Sequence, residues 1–358
     1  MRALVRCRAA GTDAMTITDR HGGELSSMRR RFPDAPEPWI DLSTGINPWP
    51  WPARETHFRG LDRLPATTDL AACTAAMAAA FGARQETVLA APGSELLIRL
   101  LPSVMKPWLK PRRVIILAPS YGDHADVWKQ VDCELVETGD PLTEAAAADA
   151  VVICNPNNPD GRRFERAELT GALNRLNRRG GWLIVDEAFA DLEPELSLAP
   201  MAGSGNLLVL RSIGKFFGLA GLRLGALLAP AGLRQAMAER LGFWCVSAPA
   251  LSIGAAAYSD ISWQTQTRTR LAAAARRLRN LLEQGHCRVV GGTDLFQYVE
   301  TEDAHQVWTH LADRGIYVRR FSWSRRHLRI GIPPDACAEE RLAEALASKR
   351  SPVTTTSE

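Results

Sequence analysis

Lys215 lies in the string Ser212-Ile-Gly-Lys-Phe-Phe-Gly-Leu-Ala-Gly-Leu-Arg223, between a β-type run, Leu207-Leu-Val-Leu-Arg211, and a turn punctuated by glycines. A lysine amine placed there can condense with an aldehyde to give an imine. Arg223, eight residues on, can then grip a phosphate on the same cofactor. Taken alone, the string also fits a surface lysine in a loop. What tips the reading is that other groups such a cofactor needs recur along the chain.

Ala91-Pro-Gly93-Ser94-Glu95 opens a helix whose first N–H groups favour a dianion, and Gly93 lets the backbone approach closely. A simple helix cap would look the same. Tyr121, in Pro119-Ser-Tyr-Gly-Asp, follows a buried apolar run at the end where ligands of open α/β sheets gather. Its ring can stack on a flat cofactor or pack in the core. Asn155-Pro-Asn-Asn158-Pro-Asp-Gly161 follows another such run and is more distinctive. Asn158 can donate to a phenolate oxygen; a plain turn explains the prolines but not the amides. Asp186 comes directly after Trp182-Leu-Ile-Val185, where it can pair with a protonated ring nitrogen or cap the next helix.

The motifs G-S-E, P-x-Y, N-P-N-N-P-x-G, D-E-A-F and S-x-x-K-x-x-G-L-A-G-L-R stand in this order between about Asp41 and Ile332. In this the chain resembles the fold-type-I pyridoxal-phosphate (PLP) enzymes of the aspartate aminotransferase superfamily. The resemblance implies PLP as cofactor, with Lys215 as the imine lysine and Asp186 on the pyridine nitrogen as the catalytic pair. It further implies Gly93, Ser94, Glu95, Ser212 and Arg223 around the phosphate, Tyr121 on the ring and Asn158 on its oxygen. A homodimer with active sites at the subunit interface is implied as well.

Near the N-terminus, His21-Gly22-Gly23 precedes Asp41-Leu-Ser-Thr-Gly45-Ile-Asn47-Pro48. This pairing is similar to the threonine-phosphate decarboxylases of cobalamin biosynthesis, in which both segments contact the substrate. The implied substrate site is His21, Gly22, Gly45, Asn158, Arg319 and Arg329. Arg329 would take the carboxylate of the amino acid; Arg319, or its neighbour Arg320, would be a second arginine suited to a phosphate. The backbone around Gly45–Asn47 is expected to help hold that phosphate. The implied reaction is decarboxylation of L-threonine O-3-phosphate to (R)-1-aminopropan-2-yl phosphate. A histidinol-phosphate-type aminotransferase would share the cofactor residues, and a PLP-binding sensor module without turnover would share the fold. Four positions depart from the family pattern: Gly45 for an Asn, Phe189 for a Tyr, Gly214 for a Ser, and Leu64 for a Tyr that reaches the partner subunit's phosphate.

The elements that must position these groups follow from hydrophobic periodicity. Short, wholly apolar strands over 114–118, 151–154, 182–185, 207–210 and 224–229 alternate with helices, among them one in which Leu169, Leu173 and Leu176 share a face. This predicts an α/β fold: a large domain whose mostly parallel sheet is covered by helices. After about residue 248 the pattern becomes α+β. Leu271, Ala275, Leu278 and Leu282 form one helical stripe, Ala304, Val307, Trp308 and Leu311 another, and strands follow over 316–319 and 327–330. The chain divides into an N-terminal arm over 1–52 that contributes to the substrate site, a large PLP-binding domain over 53–245, a small C-terminal domain over 246–350 and a disordered tail over 351–358.

Bulk properties set the remaining bounds. With 358 residues, 23% charged and a net charge of +3, nothing calls for a nucleic-acid or membrane partner; the small phosphorylated amino acid expected as ligand is what the resemblance implies. No apolar run approaches the ~18 residues of a membrane span, and the first twenty residues lack the apolar stretch of a secretory signal. The seven cysteines are scattered and never form C-x-x-C, which suits a reduced cytoplasmic protein without a metal site.

Overall fold

The computed structural model describes residues 21–109 and 112–348; the expected tail over 351–358 and the first twenty residues of the arm lie outside the described residues. Its strands are β1 (Ile40–Leu42), β2 (Val88–Ala91), β3 (Arg113–Leu117), β4 (Glu134–Thr138), β5 (Ala150–Cys154) and β6 (Trp182–Asp186), then β7 (Leu207–Ser212), β8 (Gly225–Leu228), β9 (Arg288–Thr293), β10 (Phe296–Glu300), β11 (Ile316–Arg320) and β12 (His327–Gly331).

Strands that are apolar on both faces need cover on both, and every residue of β5 and β6 is buried. They lie inside a seven-stranded sheet of order β2-β8-β7-β6-β5-β3-β4. β7, β6, β5, β3 and β4 run parallel, and β8 alone is antiparallel to its neighbours β2 and β7. The C-terminal ends of β2, β3, β5, β6 and β7 therefore open on one edge, the edge where ligands bind in such sheets. Behind that edge, Arg211 of β7 is buried against Glu187 (2.9 Å) and Asp191. The pair ties the residue after Asp186 to the residue before Ser212, on the far side of the sheet from the opening.

The second sheet has the order β1-β11-β12-β10-β9. β1 pairs in parallel with β11 (Ile40 with Ile316, Leu42 with Val318), so the arm is structurally part of the small domain. A helix, Leu25–Arg31, precedes it, and Met28, Trp39, Ile40 and Leu42 enter the small-domain core. Three residues with Asp41 at their centre are too short for a period-two pattern, which is why this stretch reads as irregular in the sequence.

Packing also moves the boundary expected at 245/246. Helix Ala248–Ser259 is apolar nearly all round and packs with the large core through Ala250, Leu251, Ile253 and Tyr258. The handover falls within helix Ile261–Gln284, where Leu271 joins the large core and Ala274, Leu278 and Leu282 join the small one.

The two domains touch backbone to backbone beside the site. A Cβ on Gly161 would lie 2.1 Å from the Gly292 carbonyl oxygen, and one on Gly291 would lie 2.1 Å from that of Asp160. Glycine is thus required where the Asn158 turn meets β9. None of the described cysteines is in a disulfide, and no described helix is long and apolar enough to cross a membrane.

Candidate active site

The strand ends enclose a cleft lined by Ser94, Glu95, Tyr121, Asn158, Asp186, Ser212, Lys215 and Arg223. Eight residues separated in sequence by up to 129 positions are thereby brought together as expected (94 to 223). Gly93 adjoins them. Its φ of +89° favours glycine, and a Cβ there would stand 2.9 Å from an Arg223 guanidinium nitrogen. Helix Ser94–Met105 starts at this point with no side-chain cap. A Cβ on Gly225 would come within 2.8 Å of the Ser94 nitrogen, so β8 also closes in on the helix start. A helix N-terminus, the Ser212 hydroxyl and the Arg223 guanidinium form a donor set that fits a dianionic phosphate. Gly214 has its own explanation: a Cβ would lie 3.2 Å from Ala220 Cα and 3.4 Å from Ser212 Oγ, so a serine would crowd that hydroxyl.

Asp186, buried at the end of β6, has both oxygens engaged. Oδ1 accepts the Ala188 N–H (3.1 Å), while Oδ2 faces His124 Nε2 at 3.0 Å and Cys154 Sγ at 3.8 Å. Burial by itself would lower the His124 pKa, but the Cys154 sulfur and the Asp186 carboxylate outweigh it and hold it up at about 10. At neutral pH His124 therefore donates to Asp186. Neither His124 nor Cys154 is anticipated from sequence, although the position of His124 one helical turn beyond Tyr121 was a usable signal. The Tyr121 hydroxyl donates to Asp123 Oδ2 (3.2 Å), and burial with the nearby carboxylates of Asp123 and Glu95 raises its pKa, so the phenol keeps its proton.

Lys215 is half-buried, with Nζ 5.8 Å from the Phe189 ring centre. Desolvation, then the positive charge of Arg329, lower its pKa to about 8 against the pull of Asp186. Phe189 packs edge-on to Phe296 (5.4 Å). A Cβ at Gly45 would press on both rings, at 3.0 Å and 3.1 Å, so the glycine at 45 and the phenyl at 189 go together sterically.

On the small-domain side, Arg329 is buried. Its Nη1 donates to Asn158 Oδ1, its Nη2 to the Ser43 carbonyl (2.8 Å), and its Nε has no partner among the described residues. The bond to Oδ1 leaves the Asn158 amide nitrogen as the group a ligand can meet. Burial, then Arg319, lower the Arg329 pKa to about 9, with Asp41 opposing. Arg319 is directly opposite Arg329 across β11 and β12, so both side chains leave the same face. Arg320 leaves the other face, where it meets His305 Nδ1 (3.0 Å) and lies over Trp308, so of the two expected alternatives Arg319 is the one beside Arg329.

The arm closes the site. His21 Nε2 is 3.5 Å from Asp123 Oδ1, and its ring lies 6.0 Å from that of Tyr121. A Cβ on Gly22 would be 2.6 Å from the Ser43 carbonyl oxygen, and the Gly23 N–H donates to Ser43 Oγ (2.8 Å). One expectation needs correcting. Asn47 donates its backbone N–H to the Lys215 carbonyl (3.0 Å) and one N–H of its side-chain amide to that of Phe216 (2.8 Å), so it anchors the arm to the lysine loop and its backbone donor is already committed. Leu64 is exposed and does not line the cleft.

This fold and this strand-end cleft belong to a known class. Residues 38–348 match the model of the aminotransferase class I and II family, and the chain belongs to that family of PLP-dependent enzymes. It is 41% identical over 334 residues to threonine-phosphate decarboxylase of Pseudomonas aeruginosa, covering 93% of this chain and 98% of that protein. To the threonine-phosphate decarboxylase of a Sinorhizobium species it is 39% identical over 331 residues, covering 91% and 97%. Histidinol-phosphate aminotransferases are more distant; that of Archaeoglobus fulgidus is 27% identical over 80% of this chain and 85% of its own. Among solved structures, the histidinol-phosphate aminotransferase from Sinorhizobium meliloti in complex with pyridoxal-5'-phosphate shares the fold, with a TM-score of 0.78 over 96% of this chain and 99% of that one, at 18% identity.

The depressed lysine gives a direct test. Acylation of Lys215 in the cofactor-free protein by an amine-directed reagent, followed by peptide mass spectrometry, is expected to be half-maximal near pH 8, because only the neutral amine reacts. Arg329→Gln removes a cation that disfavours the ammonium, so the midpoint should rise. A midpoint above about 10, that of an ordinary exposed lysine, would contradict the geometry.

Proposed function

We propose that this chain decarboxylates L-threonine O-3-phosphate to (R)-1-aminopropan-2-yl phosphate, the contribution that threonine-phosphate decarboxylases make to cobalamin biosynthesis. The observation that carries the reading is the cross-strand pair Arg319–Arg329, placed against Asn158, together with His21 of the arm beside Asp123. Two guanidinium groups and an imidazole suit a substrate bearing both a carboxylate and a phosphate.

Pyridoxal phosphate, when bound, supplies a conjugated ring that takes up the electron pair left at Cα as CO₂ departs. The residues of the chain do the rest. Gly93, Ser94, Ser212 and Arg223 would hold the phosphate of the cofactor, and the Tyr121 ring would cover its face. Asp186, faced by His124, would accept a hydrogen bond from the ring nitrogen and so favour its protonated form. The Asn158 amide nitrogen donates to the ring oxygen, its orientation fixed by Arg329. Arg329 takes the substrate carboxylate, while Arg319 and His21 take the phosphate. Holding both ends would set the torsion about Cα, so that remote binding energy would select which bond at Cα is broken. With a pKa of about 8, Lys215 exchanges a proton readily near neutral pH and can return one to Cα.

The same reading extends to assembly and location. Phe58, Leu61 and Leu64 on one segment and Phe243 and Trp244 on another are large apolar side chains left exposed, the last two at 94% and 61%. Such surface is of the kind a homodimer covers. Unpaired cysteines suit the cytoplasm.

Purified protein given O-phospho-L-threonine should release one CO₂ per substrate with no oxoacid added. Consumption that depends on 2-oxoglutarate would replace the decarboxylase with an aminotransferase, and a spectral change without product would leave only a binding module. Sedimentation velocity should report about twice the 39.2 kDa chain mass, and a monomer at micromolar concentration would remove the dimer.

A further inference from the structure

Asp123 is a buried carboxylate outside the set so far given a role, and it has partners on three separate elements. Its Oδ2 accepts the Tyr121 hydroxyl (3.2 Å) and an Arg99 guanidinium N–H (2.9 Å), both from the large domain. Its Oδ1 faces His21 Nε2 (3.5 Å), from the arm. The oxygens are thus divided: one is fixed to the wall of the cleft and the other faces the arm. Arg99 also pairs with Glu95, so that guanidinium has a second carboxylate and does not need Asp123. His21, in contrast, has one carboxylate facing it among the described residues.

From the Gly23–Ser43 and Arg329–Ser43 bonds, a continuous line of contacts runs Arg329–Ser43–Gly22–His21–Asp123–Tyr121. Asp123 meets the His21 end of this line on the large domain, as Asn158 meets the Arg329 end. An imidazole whose Nε2–H is held by a carboxylate has Nδ1 as its remaining nitrogen. That nitrogen is the one left to meet a ligand.

Resting on the decarboxylase reading, we propose that Asp123 is a positioning residue for the phosphate end of the substrate. It fixes the place and ring orientation of His21 against the phosphate of the substrate. Its action is on substrate binding through the arm, separate from the stacking of Tyr121 on the cofactor.

The test is a double-mutant cycle on the full-length holoenzyme. Asp123→Asn, His21→Ala and the combined variant are compared for KM and kcat with O-phospho-L-threonine. Its dissociation constant is read in parallel from the change in the visible band of the cofactor. Asp123→Asn should raise KM and the dissociation constant by about tenfold, the scale of one charge-assisted hydrogen bond. His21→Ala should do the same, and the combined variant should be no worse than His21→Ala alone. Fold-changes that multiply in the combined variant, or an unchanged KM in Asp123→Asn, would overturn the proposal. So would a loss of cofactor affinity as large as the loss of substrate affinity, which would route the effect through Tyr121. If wild type binds the ligand but releases no CO₂, that failure falls on the decarboxylase reading, and the coupling is still read from the dissociation constants.

Discussion

An excess of buried positive charge at the strand ends is the constraint around which this molecule is organised. Lys215 and Arg329 sit close enough for each to be felt at the site, and Arg319 adds a third cation across one strand pair. Arg329 is buried and Lys215 half-buried; Asp186 and Glu95 are the carboxylates that favour the Lys215 ammonium, and Asp41 is the one that favours the charge on Arg329. Charges in such a place are costly unless paired, and here the pairing is incomplete, with an Arg329 N–H that has no partner among the described residues. A ligand carrying carboxylate and phosphate oxygens completes it.

Holding those charges in place takes elements from both sheets. Parallel strands deliver Asp186 and Ser212 to one edge, and the buried Arg211–Glu187 pair locks their neighbours from behind. Antiparallel β11 and β12 deliver the two arginines. The arm fastens one half to the other, through Asn47 to the lysine loop and through Ser43 to Arg329. At Gly161, Gly291 and Gly292 the two halves approach so closely that side chains would be excluded. Substrate and cofactor sites are in this way parts of one mechanical unit.

How far the sequence discloses this depends on whether a feature is local. Lys215, Asp186, Asn158 and Arg223 each sit in a contiguous strand-to-turn signature, and the structure places all four in the cleft. The core strands β3, β5, β6 and β7 announce themselves by unbroken apolar runs. Features set by pairing are silent: edge strand β4, with glutamates at both positions facing out, β1 with its central Asp41, and glycine-containing β9. Choosing between Arg319 and Arg320 needs the register of β11 on β12, since a shift of one residue exchanges the faces. His124 and Asp123 act through groups distant in the chain, and the mutual fit of Gly45 with Phe189 and Phe296 exists only in three dimensions.

The central claim is that one particular amine, lowered by desolvation and by Arg329, is the group that holds the aldehyde of the cofactor. The sequence contains five lysines, so the claim has a clean readout. Borohydride reduction of the PLP-loaded protein, followed by digestion and mass spectrometry, should find a single pyridoxyl group, on the peptide containing Lys215. A pyridoxyl group on any of the other four lysines, or none at all after loading, would contradict the account.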